Sequence, residues 1–297
     1  GIGFENLTMT TNLDFTNLPA FARGEVIINS GTLTSAGNLT LEDGASLLDN
    51  ASTTGPGGSV TGDIIVQRNG TPYNNVFNFW STPVNGEAYS DVWTTLTSSP
   101  TNSNDFNEDD LRKYDVANDA WQQVSNTTFF PSGTGSSMVP GDGFIMTGPF
   151  NDPTGTNTRS FTGTPNNGNV TVPLTLVSGA GNNDDFNLLG NPYPSAIDAD
   201  GFIDDNTGVG TGSVDVITGT LWFWDVDITK APYSTNDYAT YTKAGATNNN
   251  PFGPSFNGFI ASCQGFFVEA TASSPNALFR NSQRVAGSND QFFKTGA

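Results

Sequence analysis

Between Phe186 and Asn206 the chain reads "FNLLGNPYPSAIDADGFIDDN". Four carboxylates in it, Asp198, Asp200, Asp204 and Asp205, fall at the short spacing at which oxygen ligands gather around calcium. Ca²⁺ takes about six to eight oxygens, and a glycine such as Gly201 lets the chain turn between them. The run departs from an EF-hand loop, because it lacks a third alternating oxygen ligand before the glycine and a distal glutamate. A short helix is the competing reading: Pro194 and Ser195 would start it, and Ile197, Phe202 and Ile203 would form its apolar edge. The early acids would then face the positive helix N-terminus. Calcium is the one cofactor this pattern suggests. A second acid cluster, Asp105, Glu108, Asp109 and Asp110, is followed closely by Arg112 and Lys113 and reads as solvated loop charge.

Aromatic rings offer a different chemistry. Trp93, Trp121, Tyr193 and Tyr233 lie near expected loops or strand ends, where a flat ring can stack on a sugar, and the same rings could equally fill a core. Other chemistries are excluded by composition. The chain has no histidine, which removes His-based acid–base catalysis, Ser-His-Asp arrangements and Cys/His zinc sites. Cys263, the single cysteine, has no partner for an intrachain disulfide. With 29 acids against 10 bases the net charge is −19, which repels nucleic-acid phosphates and anionic membranes. No stretch approaches the length of an apolar membrane span and no basic-then-apolar leader opens the sequence, so neither a span nor a signal peptide is read. No residue is assigned a catalytic role, and the expectation is a protein that is not an enzyme.

The elements that must hold these residues are strands. Short apolar runs bounded by Gly, Asn, Asp or Pro recur about every ten residues, and helical periodicity is nearly absent, so the fold class is all-β with short helical turns. Residues 1–70 carry very short alternating runs punctuated by Gly31, Gly37 and Gly44, a pattern suited to a small β-solenoid or, equally, to an ordinary meander. The rest is duplicated. "FNFWSTPV" from Phe77 returns as "FNLLGNPY" from Phe186, and Tyr114-Asp115 returns as Trp224-Asp225. "PGDGFIMTG" from Pro140 returns as "SCQGFFVEA" from Ser262, and "RSFTGT" returns as "ALFRNS". Landmarks repeated in one order imply two β-sandwich-like modules, 71–178 and 179–297, the second ending in a tail. Gly143 and Gly265, which open the third landmark in each copy, mark places where the backbone bends or meets another closely.

Together "FNFWSTPV", "GDGFIMTGP", "NLLGNPYPSAIDADGFI", "GFIASCQGFFVEA" and "NSQRV" before "NDQFF" resemble the repeated region of large surface and secreted proteins of Bacteroidetes, particularly flavobacteria, that are exported through the type IX secretion system. The resemblance covers roughly residues 60 to 293. It implies an extracellular or cell-surface β protein, found in adhesins, gliding-associated proteins and polysaccharide-degrading enzymes alike, and it transfers no catalytic residue. In such proteins a C-terminal sorting domain follows a tail like this one. The expectation is a non-enzymatic structural or adhesive surface protein, a filament subunit that self-associates through strand edges or terminal segments. The alternative is a carbohydrate-binding accessory region with glycans as partners.

Overall fold

In the computed structural model, residues 1–49, 58–128, 130–151, 157–177, 185–225, 237–247 and 256–293 are described. Among these residues the fold is all-β, with two short α-helices.

The opening strands are β1 (Ile2–Phe4), β2 (Leu7–Met9), β3 (Leu13–Asp14), β4 (Ala20–Ala22), β5 (Glu25–Ile28), β6 (Thr32–Thr34), β7 (Leu39–Leu41), β8 (Ser46–Asp49) and β9 (Ser59–Thr61). They form three parallel sheets in the orders β1-β4-β7, β2-β5-β8 and β3-β6-β9. A meander would pair neighbours antiparallel; here every third strand pairs in parallel, which is the ladder of a three-sided coil. Register stacks like on like: Ala20 on Leu39, Val26 on Leu47, Leu13 on Leu33 and Leu33 on Val60. Ala20, Val26, Leu33, Leu39 and Leu47 are at most 1% exposed, and each of the larger ones contributes about 1.5–3 kcal/mol of apolar burial. Asparagines stitch the corners between rungs, Asn6 Oδ1 accepting from the Glu25 amide and Asn12 Oδ1 from the Thr32 amide. Gly31 has φ +84°, and a Cβ there would lie 2.6 Å from the Thr11 backbone, so this corner is closed to other residues.

The coil does not end at a loop. Strand β10 (Ile64–Gly70) continues the first sheet in parallel with β7 and then pairs antiparallel with β18 (Asn157–Pro165), which pairs with β12 (Val84–Asn85). Over this sheet lies a second one, ordered β11 (Phe77–Trp80), β17 (Phe144–Thr147), β15 (Arg112–Asp115) and β16 (Ala120–Gln123). Helix α1 (Tyr89–Val92) and the small ladder β13 (Leu96–Thr97) with β14 (Phe106–Asn107) close the first module. Val66, Phe161, Trp80, Trp93, Phe144 and Met146 share one core with the coil.

The second module repeats this plan. Strands β19 (Val170–Val172) and β27 (Ala277–Phe279) take the places of β10 and β18. The order β20 (Phe186–Gly190), β26 (Gly265–Ala270), β22 (Ile217–Trp224), β23 (Tyr238–Thr242) repeats β11-β17-β15-β16, with β24 (Gly245–Thr247) added at the edge. Strand β21 (Ala196–Asp198), flanked by β25 (Phe259–Ile260) and β28 (Arg284–Val285), leads into helix α2 (Ala199–Asn206). Buried asparagines hold equivalent corners: the Thr71 amide donates to Asn78 Oδ1 at 2.6 Å and the Thr175 amide to Asn187 Oδ1 at 2.8 Å.

Helix α2 begins later than the sequence pattern suggests. The N-cap of α2 is Asp198, because Ser195 is already occupied: its carbonyl accepts from Asn191 Nδ2 and its hydroxyl from Arg284. The N-cap of α1 is Ala88 and Ser90 lies inside the helix, where Asp91 reaches back to the Ala88 amide.

Candidate functional site

The two modules face each other through their β11 and β20 sheets. Contacts across the joint come in exchanged pairs, as in a two-fold interface between identical surfaces. Trp80 bridges Gln264 while Leu189 bridges Asp142, and Trp80 and Leu189 are equivalent positions in the two copies, as are Asp142 and Gln264. The Ser81 amide donates to the Cys263 carbonyl at 2.8 Å, and its counterpart, the Gly190 amide, donates to the Gly141 carbonyl at 2.9 Å. The glycines of the repeated landmark stand at this joint. A Cβ on Gly143 would lie 2.5 Å from Leu188 Cγ, and one on Gly265 would lie 2.9 Å from the Trp80 carbonyl oxygen.

Between the sheets lies an aromatic seam. Phe79, Ile145, Leu188 and Phe267 are buried at its centre, and Phe77, Tyr114, Trp121, Phe186, Trp222, Trp224 and Tyr238 surround them. Phe79 stacks on Trp224 with centroids 5.7 Å apart and planes 5° apart, and meets Phe267 and Trp121 edge-on.

The residues singled out for sugar stacking are set into this framework. Trp93 is fully buried, edge-on to Trp80, Phe144 and Phe161. Tyr193 is fully buried, its hydroxyl donating to the Gly168 carbonyl at 2.6 Å, and burial pushes that phenol upward in pKa. Trp121 belongs to the seam. Tyr233 lies outside the described residues.

The acid run is dispersed along α2. Asp198 Oδ1 accepts from the Asp200 amide at 3.0 Å, and Asp200 Oδ1 accepts from the Tyr241 hydroxyl at 2.8 Å. Asp204 pairs with Lys243, whose ammonium is also in the field of Asp200 and Asp198; these carboxylates raise its pKa, the bond from Asp204 first. Asp205 turns the other way, to Arg280 at 3.1 Å and to Gln283 at 2.8 Å. The cation that Asp204 meets is thus the lysine ammonium of the β23–β24 turn. Among the described residues no group of three or more acids or cysteines converges as a metal site. In the second cluster, Asp105 accepts from the Thr101 and Asn102 amides, which lowers its pKa. Asp110 accepts from the Thr147 hydroxyl, and burial raises it.

Three charged residues escaped the sequence pattern. Arg284 is buried where the coil meets the second module, donating to Leu47 O, Asn167 Oδ1, Asn281 Oδ1 and Ser195 Oγ, with its guanidinium over the Tyr193 ring. Burial lowers it to about 10, so it stays charged at neutral pH. A small cleft of about 30 Å³ beside it is lined by one acid, Asp49, already bound to Asn167 Nδ2 at 2.7 Å. Arg68 is 1% exposed and donates to Asp43 and to the Asn289 carbonyl. Glu87, 5% exposed, accepts from the Thr162 amide at 2.7 Å; burial pushes its carboxyl up to about 8. Module alignment was the one available signal for Glu87, since it sits where the second copy has Ile197, one residue before each N-cap.

These features define a class by architecture: a parallel β-coil continued edge to edge into one β-sandwich module, which is paired about a pseudo-two-fold axis with a second copy of itself. The chain belongs to the family described as Domain of unknown function (DUF8693), whose profile matches residues 6–297. Neither the curated proteins nor the solved structures contain a match to it. Among the described residues no helix is long and apolar enough to cross a membrane.

Proposed function

We propose that this protein is a non-enzymatic structural or adhesive element of the bacterial cell surface that self-associates into larger assemblies. One observation carries the reading: a single sheet, β1-β4-β7-β10-β18-β12, runs unbroken from the coil into the first module. The two-fold seam then joins that module to its copy. Such a body passes load along backbone hydrogen bonds and packed aromatics rather than through a hinge. Support comes also from the acids, which are engaged in caps and ion pairs within the fold, and from the resemblance to exported surface proteins.

Sedimentation of the purified chain over a wide concentration range, with electron microscopy of the same samples and of intact cells, tests the reading. Concentration-dependent association and filaments or surface layers are expected. A strictly monomeric protein with no surface structure would remove the assembly reading. Saturable tryptophan-fluorescence changes on a glycan panel would replace it with carbohydrate binding.

A further inference from the structure

Among the described residues that follow β28, none lies in regular structure. Residues 288–293 belong to no strand or helix, yet Asn289, Phe292 and Phe293 are 1%, 4% and 1% exposed. This tail crosses the junction of all three parts of the molecule. The Asn289 side chain donates to the Ala45 carbonyl of the coil and accepts from the Ser262 amide of the second module. Its carbonyl accepts from Arg68 at 2.7 Å. Phe292 lies 4.8 Å from Trp80 within the core shared by the coil and the first module. Phe293 stacks on Phe223 at 4.9 Å in the core of the second, and its amide donates to Gln264 Oε1. Consecutive phenylalanines therefore plug two different cores.

The geometry points to a peptide-receptor groove, formed by Ala45, Arg68, Trp80, Phe223, Ser262 and Gln264, that takes the segment Asn289–Phe293 of its own chain or the same segment of a second copy. Copies join by exchanging tails. Three features favour this occupant. The tail adds no rung to any ladder, so it can leave as a unit without breaking a sheet. The Asn289 carbonyl accepts from the buried Arg68 guanidinium and the Phe292 ring lies 5.9 Å from it, so an empty groove would leave that buried charge with its one ion-pair partner among the described residues, Asp43. The tail is attached through Gly287 and Ser288, with φ +75° and +51°, and a serine held in the left-handed region relaxes when the hinge straightens.

The first module shows why the groove exists once. At the positions of Phe223 and Gln264 it has Lys113 and Asp142, which close on each other at 2.6 Å. In dilute solution the short tether favours the chain's own tail, because a flexible link holds its end at roughly millimolar effective concentration. Exchange belongs to crowded chains. The inference deepens the assembly reading by naming its joint.

The test uses the full chain with a protease site inserted between Gly287 and Ser288, folded and then cut. A fluorescein-labelled peptide, SNDQFFKTGA, is added and its anisotropy followed, with circular dichroism recording the fold. The expected result is one labelled peptide taken up per cut chain at native dichroism. A peptide carrying Phe292→Ala and Phe293→Ala should bind roughly tenfold or more weakly. Failure of the labelled peptide to enter, or irreversible loss of the fold on cutting, overturns the proposal. Either failure leaves the sedimentation of the intact chain to judge assembly through other surfaces.

Discussion

The two modules have the same strand order and the same buried asparagines, yet they fill their shared seam differently. The first brings Phe79 and Ile145, the second Leu188 and Phe267, so each contributes one large ring and one aliphatic side chain at exchanged positions. Along the rim, Arg112 over Phe77 in the first copy corresponds to Trp222 against Phe186 in the second. At the sharp corner before each glycine landmark the first copy has Gly141 at φ +88° and the second Cys263 at φ +65°. The turn asparagines Asn78 and Asn187 and the close-approach glycines Gly143 and Gly265 are kept, whereas this corner and the positions that only fill volume vary so long as the sum fits. Architecture, not chemistry at a single centre, is what is written twice.

The largest break in this symmetry should come from Phe79→Ala. It removes the ring at the middle of the seam and should cost about 3–5 kcal/mol of unfolding free energy in denaturant melts, more than Leu188→Ala at the equivalent place, where a smaller and more exposed side chain is lost. Equal costs would mean that the seam is not centred on Phe79. Gly143→Ala should follow at about 1–3 kcal/mol, because its Cβ meets Leu188 and the Leu189 carbonyl oxygen at 2.5 and 2.6 Å.

Much of this was legible in the residues. Gly31, Gly37 and Gly44 do stand at left-handed corners of the coil, and the landmark strands do occupy matching places in two sheets. What the pattern could not carry is direction across the chain. Gly143 and Gly265 were readable as sites of close approach, but nothing local says that each approaches the other module, some 45 or 185 residues away by the partners named above. Trp93 and Tyr193 look like loop-end aromatics because strand ends and cores use the same rings, and only packing turns them inward. Lys243 stands nearly 40 residues from Asp204, the acid it meets, with no spacing rule to link them.

Glu87 sharpens the comparison at the next level, since its counterpart Ile197 cannot titrate. The folded chain holds the Glu87 proton up to about 8, whereas an ordinary glutamate carboxyl loses it near 4.5. Its contribution to stability is therefore complete below about pH 4.5 and is lost as pH rises through about 8. With no histidine in the chain, few other groups titrate in this window. Thermal midpoints should fall between about pH 5 and pH 9, and Glu87→Gln should flatten that slope. An unchanged slope in the variant would assign the pH dependence elsewhere. The smallest effect should come from Lys243→Met, at most a slight drop in the thermal midpoint, because the ion pair with Asp204 is exposed to solvent. The parent midpoint should stay unchanged in calcium, and a clear rise would show the ion competing with the lysine.

Hydrogen exchange of the amides in β11, β17, β20 and β26 reaches the central claim, that the two modules stand as one body because each completes the other's surface. In the parent these amides should share one slow, global opening, and Gly143→Ala, though it alters only the first module, should speed exchange in both modules together. Faster exchange confined to β11 and β17, with β20 and β26 untouched, would contradict it.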